Sequence, residues 1–345
     1  MNFGFVILDL FEILNFEFNN MRILSGVQPT GSIHIGNYLG ATKQWIELQK
    51  NNECVFFIAD LHSLTTPHNS ADLQKNILEV AVAHLAAGID PQKSVFFIQS
   101  KIKEHTELCW LLNTVCPIGD LQRMTQYKEK ARQFKKDINA GLLNYPILQA
   151  ADILLYKTEA VPVGKDQVQH IELARTIAKK FNQKFGKVFT EPKAMLSKFG
   201  AKIMALDNPK KKMSKSLDPK GCIFLFDEPE EIKKKIMSAV TDMGKEIKYN
   251  PAKKPGVSNL LTIYSLFSEK PIKEIEYSFK GKGYAQFKNL LAELLINSLE
   301  PFRRKRKELL ARDIYIHETL KLGAKRAQII AESVMLEVRQ KMGLI

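Results

Sequence analysis

Arg22-Ile23-Leu24-Ser25-Gly26-Val27-Gln28-Pro29-Thr30-Gly31-Ser32-Ile33-His34-Ile35-Gly36-Asn37 opens as a short apolar run, turns through small residues and Pro29, and enters a helical pattern reaching Leu48. Cys54-Val55-Phe56-Phe57-Ile58-Ala59 follows as a continuous β-prone run, the composition of a strand buried on both faces. A helical stretch from Ala71 and a second buried run, Ser94-Val95-Phe96-Phe97-Ile98, complete a strand–helix–strand–helix–strand series. That alternation predicts an α/β fold with a Rossmann-type, doubly wound parallel sheet. Ligands of such sheets bind beyond the carboxyl ends of the strands, so the Gly/Pro loop after the first strand is the expected ligand loop.

Beyond Pro219 the character changes to long charged helical stretches, chiefly 287–310 and 314–342. At roughly 150 residues per domain, 345 residues suit two units: a catalytic domain over 21–220 and a helical domain over 221–345. With 45% hydrophobic and 26% charged residues, the chain is excluded from the disordered, collagen-like and coiled-coil classes. A net charge of +14 favours an anionic partner. Residues 301–345 carry eleven Lys/Arg against five Asp/Glu, as a solvated helix face or an RNA-contacting one would. Cys54, Cys109, Cys116 and Cys222 form neither a disulfide framework nor a C-x-x-C metal pair, which fits a reducing cytoplasm. The first twenty residues, MNFGFVILDLFEILNFEFNN, are apolar, but Asp9, Glu12 and Glu17 interrupt them and no Lys or Arg precedes them. They match neither a secretory signal nor a membrane span and are expected to be a loosely packed extension, or the product of a start upstream of Met21.

Three segments carry chemistry. Gly26 and Gly31 have P-loop spacing, but Ser32-Ile33 stands where Lys-Ser/Thr is required, so the loop is no P-loop. It remains a small-residue turn that places backbone N–H groups and His34 at a helix start, where phosphate oxygens are favoured. Lys210-Lys211-Lys212-Met213-Ser214-Lys215-Ser216, between Pro209 and Pro219, is a basic loop. Lysines on a loop are point charges able to follow polyphosphate oxygens as charge moves between them. In the third segment Tyr145, Gln149 and Asp152 fall four and then three residues apart, on one helix face among Leu, Ile and Val. An unpartnered buried polar group costs on the order of 1–3 kcal/mol, so this face reads as a pocket wall whose polar groups a ligand completes; a buried structural network is the alternative.

The turn His34-Ile35-Gly36-Asn37 paired with the loop Lys212-Met213-Ser214-Lys215-Ser216 resembles the two signatures of class I aminoacyl-tRNA synthetases. From Met21 onward the chain resembles the tryptophanyl branch of that family. The likeness is carried by Ser25–Gly31, Gly36-Asn37-Tyr38-Leu39-Gly40-Ala41, Arg123-Met124-Thr125-Gln126-Tyr127-Lys128-Glu129-Lys130, Ala140-Gly141-Leu142-Leu143, Val161-Pro162-Val163-Gly164-Lys165-Asp166-Gln167 and Pro255-Gly256-Val257-Ser258-Asn259-Leu260-Leu261.

The resemblance implies a ligase that activates tryptophan with ATP and transfers it to tRNA(Trp), with Mg²⁺ accompanying ATP, no dedicated protein metal ligands, no membrane association, a homodimeric state and a cytoplasmic location. It implies that Asp152 accepts the indole N–H, that Val161, Val163 and His62 line the ring pocket, that Tyr145 and Gln167 hold the ammonium and carboxylate end, and that Gln149 is a further residue of the tryptophan pocket. Gln28, Pro29, Thr30, Gly36, Asn37, Gly164, Lys165, Asp166 and Ile203 would surround ATP, with His34, Lys128, Lys212 and Lys215 on its phosphates beside Met213, Ser214 and Ser216. Two positions depart from the tryptophanyl pattern. Gln149 stands where many bacterial members carry Met, and Leu24 where some carry Phe. Tyr-x-x-x-Gln-x-x-Asp is instead the spacing of tyrosyl enzymes, although the G-G-S-D-Q-W-type segment expected there is lacking. A tyrosyl enzyme, a small-molecule nucleotidyltransferase and an inactive RNA-binding paralogue are the alternatives.

Overall fold

The computed structural model describes residues 20–65, 67–133, 138–196, 203–214 and 219–345. Lys215, Ser216 and the first nineteen residues, on which three of the expectations above rest, lie outside the described residues.

Five parallel strands, β1 (Arg22–Val27), β2 (Glu53–Ile58), β3 (Ser94–Ile98), β4 (Ala160–Val163) and β5 (Lys193–Leu196), form one sheet in the order β3-β2-β1-β4-β5. The three sequence-read strands are its first half, and β2 is buried from Cys54 onward on both faces. β4 and β5 are not evident from sequence pattern: β4 holds Pro162, a residue that cannot donate to a ladder, and both are short. Strand order reverses at β1, where one half of the doubly wound sheet meets the other. There β1 keeps register with β2 from Arg22↔Glu53 to Val27↔Ile58 but pairs with β4 only at Ile23↔Ala160. The sheet therefore splits between β1 and β4 toward its carboxyl ends.

The helical pattern ending at Leu48 is one rod with a π-helical stretch: Ile35–Asn37, then Tyr38–Thr42, then Lys43–Leu48. π-turns inside helices cluster at functional sites because they re-aim side chains. Trp45 from this rod stacks on Phe56 of β2 at 4.7 Å, fixing the rod to the sheet.

The helices Pro229–Ser238, Pro255–Ser268, Ile272–Ser278 and Tyr284–Leu310 share one apolar core that also takes in Ile35, Leu39, Ile203 and Met213. The last helix, Asp313–Met342, leaves that body and packs on the sheet. Gly323 lies against β3 so closely that a Cβ there would come within 1.9 Å of the Phe96 carbonyl oxygen. Arg326 donates to the Pro91 and Ser94 carbonyls at 2.9 and 3.1 Å, and Arg339 pairs with Glu107 at 2.7 Å. None of the helices among the described residues is long and apolar enough to cross a membrane.

Two outcomes follow from this packing. Gly323→Val forces the last helix off β3 and should lower unfolding free energy by about 2 kcal/mol or more in denaturant titration. His84, buried on the Ser70–Ala87 helix with Nδ1 donating to the Val80 carbonyl at 2.8 Å, is held by burial at a pKa of about 4 instead of 6.5. The unfolded chain takes up that proton first, so stability should fall as pH drops from about 6.5 to about 4 and level off below. His84→Leu should flatten that slope in unfolding titrations across the window; an unchanged slope assigns it elsewhere.

Candidate active site

A cavity of about 600 Å³ opens where β1 and β4 part, in the size range of small-molecule sites. Its walls come from β1 and the loop after it (Ser25, Gln28, Thr30), the helix rod (Asn37), β4 and the residue after it (Val161, Val163, Gly164), and the helix Ala140–Leu154. That helix starts at Asn139, whose side chain accepts from the Leu142 N–H at 2.9 Å, and it presents Tyr145, Gln149 and Asp152 to the cavity as their spacing implied.

Asp152, 1% exposed, is the most deeply seated of these. Its Oδ2 accepts from His62 Nε2 at 2.8 Å, and its Oδ1 from His105 Nδ1 at 2.6 Å and Gln99 Nε2 at 2.7 Å. Burial alone would push the carboxyl pKa up. The N–H donors of His105 and His62 outweigh it and hold the pKa at about 2. The expectation that a ligand completes this carboxylate is thereby corrected: the protein supplies most of its partners, yet Asp152 and His62 still line the cavity. Tyr145 is likewise engaged, its hydroxyl 3.0 Å from His170 Nε2. Burial lowers the His170 pKa to about 4 and raises that of Tyr145 to about 12, so the phenol donates to a bare ring nitrogen.

At the other end His34 caps the helix start. Its Nδ1 accepts from the Asn37 N–H at 3.2 Å, and Asn37 Oδ1 answers its backbone N–H at 3.3 Å. The ring is buried and does not line the cavity. Gly164 admits the Asp166 carboxylate, since a Cβ would stand 2.7 Å from Asp166 Oδ1. Gln126 and Gln167 donate to Asp166 Oδ2 at 3.3 and 3.0 Å.

Of the residues singled out from sequence, Gln28, Thr30, Asn37, His62, Tyr145, Gln149, Asp152, Val161, Val163, Gly164, Asp166 and Gln167 come together in the cavity. Pro29, His34, Gly36 and Lys165 stand beside it without lining it. Ile203 and Met213 are core residues, joined by the Met213 N–H donating to the Ile203 carbonyl at 2.9 Å. Lys212 is exposed and Ser214 half-buried, on a hairpin-like loop bridged at Met204↔Lys212.

Lys128 is exposed outside the cavity; Lys130, two positions on, lines it instead, with Nζ 4.9 Å from the Tyr145 ring centroid. Both lysines stand in the Thr125–Gln133 helix, two positions and so about 200° apart around its axis, which lets only one of them face the cavity. Which one does so depends on how the helix packs, so no local pattern signalled it. Asn259 is a second residue that sequence reasoning left without a role. Its amide accepts from the Met204 N–H and donates to the Met204 carbonyl, both at 2.9 Å, clamping the lysine loop to the helical body. Among the described residues no cluster of His, Cys, Asp and Glu forms a metal site.

A parallel sheet split at its switch point, with a buried carboxylate at one end of the crevice and a capped helix start at the other, is the architecture of a nucleotide-dependent enzyme that also takes a small polar–apolar substrate. Residues 17–300 match the family model described as tRNA synthetases class I (W and Y). The chain is 49% identical over 325 residues to a tryptophan–tRNA ligase of Caldanaerobacter subterraneus, covering 94% of this chain and 98% of the relative. It is 46% identical over 324 residues to that of Bacillus subtilis, covering 93% and 97%. Among solved structures, Campylobacter jejuni tryptophanyl-tRNA synthetase complexed with ADP and tryptophan superposes with a TM-score of 0.82 at 40% identity, over 94% of this chain and all of that one. The chain belongs to the class I tRNA synthetases, in their tryptophan–tRNA ligase branch.

Lys130 and Lys128 can be told apart by activity. Lys130→Ala should lower kcat/KM for ATP-dependent amino-acid activation by about tenfold or more, and Lys128→Ala by far less, in pyrophosphate-exchange assays. Equal losses would return the phosphate contact to the exposed lysine.

Proposed function

We propose that this chain condenses L-tryptophan with ATP to tryptophanyl-adenylate and pyrophosphate, and then transfers the tryptophanyl group to the 3′ end of tRNA(Trp). The observation that carries this reading is Asp152: an ionised carboxylate at the apolar end of a cavity in a chain that aligns with tryptophan–tRNA ligases over nearly its whole length. Its Oδ2, with His62 beside it, accepts the indole N–H; Val161 and Val163 bound the ring; Tyr145, Gln149 and Gln167 hold the ammonium and carboxylate end. Gln28, Thr30, Asn37, Gly164 and Asp166 line the nucleotide end, with Pro29, Gly36, Lys165 and Ile203 shaping it from behind.

The tryptophan carboxylate is already anionic, so no protein nucleophile is required for attack on the α-phosphorus. The tRNA's terminal hydroxyl then attacks the activated carbonyl. Catalysis rests on alignment and on neutralising pyrophosphate charge through the helix start at His34, Lys130, and the loop of Lys212, Met213, Ser214, Lys215 and Ser216. Mg²⁺ enters as part of the substrate, chelated by ATP phosphates. The helical domain over 221–345 meets the anticodon arm of tRNA, and the exposed Arg304, Lys305 and Lys307 supply phosphate-directed charge. The chain acts in the cytoplasm as a homodimer; Trp110 and Ile118, 71% and 64% exposed, are apolar positions a second copy would cover.

Tryptophan-dependent ATP–pyrophosphate exchange by the purified protein, with no exchange on tyrosine, is the expected result; the reverse would overturn the specificity. Lys215→Ala should slow adenylate formation far more than it weakens tryptophan binding, and parent-like exchange rates would remove Lys215 from the phosphate site. Asp152→Ala should lose discrimination against phenylalanine, because a site built around a substrate N–H rejects substrates lacking it most strongly.

A further inference from the structure

Behind Asp152 lies a second layer that never reaches the cavity. His105 and Gln99, both fully buried, bond to Oδ1, whereas His62, which lines the cavity, bonds to Oδ2. Oδ1 thus faces the protein and Oδ2 the cavity. A carboxylate offers about four acceptor positions. The two on Oδ1 are filled, one on Oδ2 is filled, and one on Oδ2 is left for a ligand.

The His105 ring is placed by groups on both sides. Phe57 and Phe97 stand 5.9 and 6.0 Å from it, ring centre to ring centre, as apolar walls. Its Nε2 lies 2.9 Å from the hydroxyl of Tyr156, a side chain with 0% exposure. A buried O–H must find an acceptor, and His105 Nε2 is the hydrogen-bond partner that this hydroxyl has among the described residues. The phenol, which burial holds well above its usual pKa, keeps its proton and donates it to Nε2. The ring hydrogen is then confined to Nδ1, where it points at Asp152 Oδ1. Gln99 is fixed by the same carboxylate: its Nε2 faces Oδ1 although Oε1 is then left without a partner among the described residues, because a flipped amide would set oxygen against oxygen.

We propose that His105, set in its tautomer by Tyr156, is a positioning residue for amino-acid selection: it holds the Asp152 carboxylate so that one acceptor position of Oδ2 faces the cavity and takes a single N–H donor. The inference rests on the reading of Asp152 as the indole partner and extends it to a Tyr156–His105–Asp152 relay. Removing the relay takes away the donor that fixes Oδ1, so the carboxyl group can turn from the orientation that leaves one acceptor position of Oδ2 toward the cavity, which weakens the one contact that distinguishes an N–H from its isosteres.

The test compares L-tryptophan with β-(3-benzothienyl)alanine, its isostere carrying sulfur in place of the indole N–H, in ATP–pyrophosphate exchange. The parent should favour tryptophan strongly. His105→Leu and Tyr156→Phe should cut that preference by about tenfold through a higher tryptophan KM, with kcat and the ATP KM within about twofold and the isostere's kinetics unchanged. His105→Asn, whose amide restores a donor near the Nδ1 position, should recover most of the preference. A merely structural role would slow both substrates alike, and that result, or a parent-like preference in both variants, overturns the proposal. Should His105→Leu fail to fold, Tyr156→Phe, which deletes one oxygen, decides by itself. A parent that does not separate the two substrates, or Asp152→Ala that still does, refutes the indole assignment itself and is distinct from failure of the relay.

Discussion

The parting of β1 from β4 is the constraint on which the molecule's chemistry depends. Paired at Ile23↔Ala160 alone, the two strands leave a gap at their carboxyl ends that side chains cannot fill without blocking the ligand. Pro162, lacking an N–H, lets β4 run there without a ladder partner on that side. The crevice puts the loop after β1, the helix start at Ile35 and the segment Gly164–Gln167 around one volume, although these stretches lie far apart in the chain. Asn37 of the helix rod and the polar side chains Tyr145, Gln149 and Asp152 then line the same cavity.

A second constraint is the charge at the apolar end. A carboxylate that is 1% exposed is tolerable only when its desolvation is offset by donors. His62, His105 and Gln99 provide them, and the apolar rings around His105 deny the network any other arrangement. The same donors leave one acceptor position of Oδ2 open toward the cavity.

The phosphate end is joined to the helical body through packing. Ile35 and Leu39 of the rod, and Ile203 and Met213 of the lysine loop, share a core with the helices over 229–310. Asn259 clamps Met204 from that body. The last helix is tied to β3 and its neighbours instead, through Gly323 on Phe96, Arg326 on the Pro91 carbonyl and Arg339 on Glu107.

Periodicity and composition alone determine the buried parallel strands at β2 and β3, the helix face of Tyr145, Gln149 and Asp152, and the turn with its helix start at His34, because each depends on residues within a few positions of one another. The residues quoted for the family resemblance likewise name most of the cavity wall. Tertiary structure decided the rest. Lys130 faces the cavity and Lys128 does not, because the packing of the Thr125–Gln133 helix turns one side of it inward. His34 acts as a helix cap because Asn37 answers it within the turn, and its ring is covered. Asp152 is partnered by His105, Gln99 and His62, which come from three other elements. Local sequence sets which face of an element is apolar. Which polar groups meet across the interior depends on how whole elements pack, and that distance-dependent pairing has no period to read.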